Sequence, residues 1–378
     1  MLGIVGGGQL ARMLAQAAST LGVATRVLER SADVPAASVT AAVRTGDWDD
    51  PAALLALGRE VDAVTLENEF VEADSLLALE RAGIPLWPGT ETIRAIQDKF
   101  RQREVLRSAG LPVPQFAAVE GPDEIREWGT RLGWPLMLKA RRNGYDGKGN
   151  CTVRGPDEVD AAWRHLGSGR RLLLVEQFCH FRKELAVMVC RGRDGRMAVY
   201  PVVETIQRDH ICHVVKAPAG VSDSLARRAA ALARQAVRAF DGVGCLGVEL
   251  FLTRDDRLVV NELAPRVHNS GHYTIEACEC SQFENHVRAV LGLPLGSTAM
   301  RSNAAVMINL LGGGDGPGQP RGLPRALAVP GAHVHLYGKA RSARGRKMGH
   351  VTALGDTPAA ALRRARRAAE QLDFGDSP

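Results

Sequence analysis

Two glutamates in the run Gly247 to Pro265 are the residues of this chain whose type and spacing speak most directly of chemistry. The run reads as a β-hairpin, with two apolar runs placed symmetrically on either side of Arg254 to Arg257. A four-residue turn there pairs Thr253 with Leu258 and, counting back, Glu249 with Glu262. Directly opposed residues hold their Cβ atoms ~5 Å apart. Like charges at ~4 Å repel by about 4 kcal/mol at an effective dielectric of 20. Such a pair calls for a cation, and all-oxygen ligation suits Mg²⁺, which takes one or two carboxylates and completes its shell with water and phosphate. The alternative is a splayed, solvated pair on a surface hairpin.

Two glycine loops could handle phosphate. Gly6-Gly7-Gly8-Gln9-Leu10-Ala11 follows an apolar strand and opens a helix, so backbone N–H groups and the positive helix end form an anion site. The same residues fit the dinucleotide fingerprint, with Glu29 about twenty residues on. NAD, another phosphate ligand and a tight structural turn all remain open readings. The second loop, Arg141 to Gly149, places Gly144, Gly147 and Gly149 beside Lys139, Arg141 and Lys148. Glycines let a loop approach phosphates closely. It lacks the Gly-Lys-Ser/Thr of a Walker A loop, and a basic β-turn is the plain alternative. Arg171 to Val175 is an apolar strand running into Glu176, Gln177, Phe178 and Cys179. Such a strand end offers donors and acceptors to an adenine, with Glu184 in reach of a ribose, or it is an ordinary strand end.

The elements that must position these groups follow from pattern. The first part alternates strand and helix: Leu2 to Val5, a helix from Gln9, Thr25 to Glu29, a helix from Pro51, then Ala63 to Glu67, a βαβ rhythm that predicts a parallel sheet. A helix is expected over Glu91 to Ala109, after which strands dominate to about Leu293, with helices at Pro122 to Leu132, Pro156 to Leu166 and Ser222 to Phe240. Gly312 to Pro320 is a flexible loop by composition, dividing off a small final unit with a strand from Ala332 to Tyr337 and a helix from Pro358.

The chain has 378 residues, enough for two or three domains, and its 45% apolar and 24% charged content is ordinary for a globular protein. The net charge of +6 is too diffuse to imply nucleic acid. Its densest cluster, Arg363, Arg364, Arg366 and Arg367, reads as a solvated helix face. Seven cysteines without a Cys-x-x-Cys spacing read as reduced thiols. Residue 1 leads directly into a strand and no apolar run approaches the ~18 residues of a membrane span. A cytoplasmic protein without membrane attachment is expected.

The glycine loop, the hairpin and the stretch Pro265 to His272 occur in the order found in ATP-grasp enzymes. Within them the chain resembles the 5-(carboxyamino)imidazole ribonucleotide synthases almost end to end, through Gly6 to Leu10, Gln97 to Lys99, Gly144 to Gly149, Asn261 to His272, Ser281 to Glu284, Asn309 to Gly312 and Gly345 to His350. The resemblance implies a mixed α/β and α+β architecture: a Rossmann-like βαβ domain over 1–95, an ATP-grasp domain over 96–296 and a small β-rich domain over 297–378. It implies ATP between the halves of the central domain. The implied contacts are Lys99, Lys139, Gly144, Tyr145, Asp146, Gly147, Lys148, Gly149, Glu176 to Cys179, Glu184, Asn261 and Glu262. Glu249 and Glu262 would hold Mg²⁺. Gly7, Gly8, Gln9 and Leu10 would grip the ribonucleotide 5′-phosphate, while Glu67, Tyr145, Arg266, His268, Asn269, Ser270, Lys339 and Arg346 would surround aminoimidazole ribonucleotide and the bicarbonate-derived group. Asp146, Arg266 and Lys339 would be catalytic, and relatives of this kind are commonly homodimers.

Each assignment has a plain counterpart. Lys339 to Lys347 reads, without the resemblance, as solvated surface, and His268 and His272 lack an organised third metal ligand, so hydrogen bonding is expected of them. Three departures from the family pattern stand out. Glu67-Asn-Glu-Phe70 has its Asn and Phe exchanged, Gln207 and His210 fall where many relatives carry His and Gly, and Ala264 stands where many ATP-grasp enzymes have a metal-binding Asn.

Overall fold

The computed structural model describes residues 1–144 and 149–375. The N-terminal strands form a parallel sheet in the order Ala42–Thr45, Thr25–Glu29, Leu2–Val5, Ala63–Leu66. Leu2–Val5 and Ala63–Leu66 are buried along their whole length, as expected of parallel strands covered on both faces. The helix Gln9–Thr20 buries Leu10, Ala11, Met13, Leu14, Ala15 and Ala18, one apolar stripe at helical spacing. Asp50 caps the helix Pro51–Gly58 by accepting from Ala52 N, with proline at the first turn.

Two antiparallel sheets follow. The smaller runs Phe116–Val119, Leu173–Gln177, Leu136–Ala140, Asn150–Val153, and its core joins Leu136, Leu138 and Val175 to Ile125 and Val159 from two helices. The larger is nine-stranded among the described residues, and its path starts with Leu258–Ala264, Gly244–Thr253 and Phe181–Arg191. It then continues through Val203–Arg208 and Ile211–Ala217 into Ala304–Leu311, Lys347–Gly355 and Ala332–Leu336, with Val214 opposite Ile308. The late strands thus extend the central sheet. The helix Asp223–Ala239 covers it through Leu225, Ala229, Leu232, Ala233, Ala236 and Val237.

Two sequence expectations need correction. The helix over Glu91 to Ala109 is two helices, Thr90–Gln97 and Lys99–Ser108, because Asp98 is extended (φ −98°, ψ 107°) and caps the second by accepting from Phe100 N and Arg101 N. The Gly312 to Pro320 loop contains a short strand, Gly316–Pro317, paired with Arg341–Ser342. At Gly318 a Cβ would lie 1.6 Å from Lys339 O, so close backbone approach, not looseness, accounts for that glycine. In the late helix Pro358–Ala369, Arg363, Arg366 and Arg367 are exposed while Arg364 donates to Leu354 O.

Candidate active site

Glu249 does stand opposite Glu262, although the hairpin reaches that register by a different route. The loop spans Thr253 to Arg257, closed by Thr253 N to Arg257 O at 3.0 Å, with Asp256 in the left-handed region (φ 58°). Leu252, not Thr253, therefore pairs with Leu258. Asn261 is then an extra residue in the second strand, and this bulge restores the register from Glu262 onward. Without it Glu249 would face Asn261, and Glu262 would turn to the other side of the sheet. The Asn261 amide donates to Glu249 Oε2 at 3.2 Å.

The two carboxyls differ sharply in environment. Burial, then Glu262 and Glu184, push Glu249 well above the usual carboxylate range. Burial also works to raise Glu262, but the Lys99 ammonium bonded to it, with Lys139 and Arg103 nearby, outweighs that and holds it ionised. The His268 ring reaches Glu249 Oε1 at 3.5 Å. Burial, then Arg266 and Lys347, depress His268 to about 4, so it is a neutral hydrogen-bonding group beside the carboxylates, its Nδ1 2.9 Å from Ser270 Oγ.

On the smaller sheet, Glu176 gives one carboxylate to both Lys139 and Arg103. Lys139 Nζ lies 2.7 Å from Glu176 Oε2, and Arg103 Nε lies 2.6 Å from Glu176 Oε1. Burial works to raise Glu176, but Arg103 and Lys139 outweigh it and hold it at about 2. The second glycine loop joins Leu136–Ala140 to Asn150–Val153, and its base is closed by Ala140 N to Gly149 O at 2.7 Å. Gly149 is left-handed (φ 84°), and a Cβ there would lie 3.2 Å from Gly144 Cα. Glu184 Oε2 accepts from Gln207 Nε2 at 2.9 Å, which gives Gln207 a role the sequence left open.

In the N-terminal unit, the triple-glycine turn is already in contact with carboxylates of its own chain. Gly7 N donates to Glu29 Oε2 at 2.8 Å and Leu10 N to Glu67 Oε1 at 3.3 Å. A Cβ on Gly8 would stand 2.4 Å from Glu67 Oε1, so that glycine makes room for the acid. The expectation of wholly free N–H groups is corrected at these two positions. Glu29, tied to Gly7 and to Arg30 N, is turned into the loop, so the acidic residue of the dinucleotide fingerprint is spent on the protein itself. Arg266 grips both oxygens of Glu69, with Nη2 to Oε1 at 3.0 Å, joining the Pro265 to His272 stretch to the loop that follows the strand Ala63–Leu66.

Three domain models match in sequence: a ribonucleotide synthetase preATP-grasp domain over residues 1–97, an ATP-grasp domain over 104–283 and a phosphoribosylaminoimidazole carboxylase C-terminal domain over 305–364. An N5-carboxyaminoimidazole ribonucleotide synthase of Synechococcus elongatus is 44% identical over 93% of this chain and 88% of its own length. The chain belongs to this family of ATP-grasp proteins. A phosphoribosylaminoimidazole carboxylase of Schizosaccharomyces pombe is 41% identical over 100% of the chain and 69% of its own length. For the related protein of Ogataea methanolica that last share is 65%, so the chain spans about two-thirds of these longer fungal relatives. Crystal structures of the Aspergillus clavatus synthase superpose with TM-scores of 0.90. One, 39% identical, is complexed with ATP; the other, 38% identical, with ADP and 5-aminoimidazole ribonucleotide. Each covers 98% of this chain and 97% of its own.

Asn269 exchanges amide hydrogen bonds with Asn309 (2.9 and 2.6 Å). Lys339 Nζ donates to Lys347 O at 2.7 Å, and Lys347 is one of the charges that depress His268. Arg346 is exposed, its guanidinium on Arg341 O at 2.9 Å. Gln177 N bonds Gln115 O, Phe178 packs edge-on to His180, and Cys179 is half-buried, its thiol raised by burial. His272 is buried against Gln282, as hydrogen bonding predicts. Tyr145, Asp146, Gly147 and Lys148 lie outside the described residues. Sequence reasoning missed Glu69, Asp98 and Arg103. Of these, Arg103 carried a signal, since it falls four residues after Lys99 on the same helix face.

Proposed function

We propose that this chain is an ATP- and bicarbonate-dependent carbon–nitrogen ligase of purine (IMP) biosynthesis. It would carboxylate the exocyclic amine of 5-aminoimidazole ribonucleotide, giving 5-(carboxyamino)imidazole ribonucleotide, ADP and phosphate. The observation that carries the reading is the facing pair Glu249 and Glu262 with Lys99 and Lys139 around it, in a chain whose relatives bear the synthase name over nearly their whole length.

The donors fit a hard cation. Glu249 and Glu262 offer only oxygen, and burial, then Glu262 and Glu184, disfavour the charged form of Glu249, a cost that a cation would offset. Glu249 and Glu262 would hold Mg²⁺, whose contribution there is to neutralise polyphosphate charge. Lys139, Lys99 and the Gly144 to Gly149 loop would position ATP and balance charge as bicarbonate attacks the γ-phosphate, forming carboxyphosphate and ADP. Glu176 to Cys179 and Glu184 would take the adenosine. Carboxyphosphate then gives CO₂ and phosphate, and the substrate amine captures the CO₂. Asp146 would orient the amine or take its proton, a role equally open to the released phosphate. Arg266, His268, Asn269, Ser270, Lys339 and Arg346 would hold the ribonucleotide and the carboxylate-derived group, with Glu67 and the Gly7 to Leu10 turn beside them. His268 would serve as a neutral donor or acceptor.

No helix among the described residues is long and apolar enough to cross a membrane, in keeping with the cytoplasmic setting proposed. The test is ADP release from Mg-ATP and bicarbonate with 5-aminoimidazole ribonucleotide, using glycinamide ribonucleotide as the comparison acceptor. Release that depends on the imidazole acceptor is the expected result. Stimulation by the other acceptor alone would leave an ATP-grasp ligase of different substrate.

A further inference from the structure

One short helix touches both antiparallel sheets. The Lys99–Ser108 helix presents Lys99 and Arg103 on a single face, about 6 Å apart along its axis. Lys99 bonds Glu262 on the large sheet, while Arg103 bonds Glu176 on the small one. Between them Gln102 pairs with Leu263 as one strand pairs with another, its Nε2 donating to Leu263 O at 3.1 Å and its Oε1 accepting from Leu263 N at 3.0 Å. At the start of the helix Lys99 N donates to Arg141 O at 2.8 Å, and Asp98 takes Arg141 in a fork at 3.0 and 2.6 Å. Arg141 directly follows the strand that carries Lys139 and opens the second glycine loop.

Taking the cleft as the nucleotide site, as proposed above, we infer that this helix sets the spacing of its walls, and that Arg103 is the positioning residue through which it places Lys139. Arg103 is 1% exposed and itself has no path to a ligand in the cleft. Its effect passes through Glu176. By occupying Oε1 it leaves Oε2 to Lys139 and fixes the carboxylate plane, so the lysine is held at one point instead of following a mobile acid. Burial alone disfavours a charged Lys139, and the anchored Glu176 opposes that effect. A buried ion pair is poor evidence of stabilisation in itself, since apolar residues of similar size often serve as well. What distinguishes this one is its third member, the buried Lys139, and a helix neighbour, Lys99, bound to the larger sheet.

A double-mutant cycle on the full chain tests it, with Mg-ADP binding followed by calorimetry and folding by circular dichroism. Arg103→Met is expected to weaken Mg-ADP by ~10-fold or more in the wild-type background and by less than ~3-fold in a Lys139→Met background, because the residue it acts through is then gone. Arg103→Lys, which keeps the charge, is expected to recover part of the affinity, and carries the same cycle if Arg103→Met does not fold. Equal losses in both backgrounds, or unchanged affinity in a folded Arg103 variant, would overturn the inference while leaving the cleft assignment intact. No Mg-ADP binding by the wild type would overturn both, and is read separately from the cycle.

Discussion

Glu249 faces Glu262 because Asn261 is one residue too many for its strand. The bulge both turns Glu262 to the cleft and supplies an amide to Glu249. Inserting one alanine after Asn261 should move Glu262 opposite Val248, on the other face, while the hairpin still closes. ADP release is expected to fall by ~100-fold or more. An Asn261→Ala variant, which keeps the bulge, should lose much less. Equal loss in both variants would mean that the amide, not the register, is what matters.

Glu249→Gln and Glu262→Gln should each lower turnover by ~100-fold or more in a folded protein. They should differ in stability. Glu262→Gln strips Lys99 of its anion inside the cleft and should lower the melting temperature. Glu249→Gln removes a carboxyl already pushed towards its neutral form and should leave the melting temperature unchanged or higher. Undiminished turnover in both variants would contradict the metal assignment.

Arg266 is held by both oxygens of Glu69, so Glu69→Gln should loosen it without removing it. We expect a rise in the KM for the ribonucleotide of ~10-fold with a smaller change in the KM for ATP. A larger effect on ATP would place Arg266 at the nucleotide.

His286 spans two units. Its Nε2 lies 2.8 Å from Thr65 Oγ1 in the N-terminal sheet, and its Nδ1 accepts from Cys245 N at 3.0 Å in the large sheet. Burial depresses it to about 4. Since the unfolded ring takes up its proton near 6.5, the stability it contributes is complete above that pH and is lost as pH falls from 6.5 towards 4. The loss from this residue should be about 2 kcal/mol at pH 5. Denaturant melts at pH 7 and pH 5 measure it, and His286→Asn should shrink the difference between them.

The features legible in the sequence were those with local causes. The βαβ rhythm rests on continuous apolar strands, and the glutamate pairing rests on the polar turn between two apolar runs. Yet that pairing was reached through a four-residue turn and an unbroken ladder, and the structure has a longer loop and a bulge whose shifts cancel. Bulges and left-handed turn residues such as Asp256 leave little trace in apolar periodicity. The break at Asp98 was hidden because apolar spacing continues through it, while the cap acts through a side chain. Glu69 and Arg103 were not assigned because their partners, Arg266 and Glu176, are distant in sequence, and no local pattern encodes such pairs.

The most direct measurement follows oxygen. With ¹⁸O-labelled bicarbonate, Mg-ATP and 5-aminoimidazole ribonucleotide, attack on the γ-phosphate leaves the bridging oxygen on phosphorus when carboxyphosphate breaks down. ³¹P NMR should show one ¹⁸O in each phosphate released, in step with ADP and dependent on the imidazole acceptor. Unlabelled phosphate, formed at the same rate with or without that acceptor, would contradict the account.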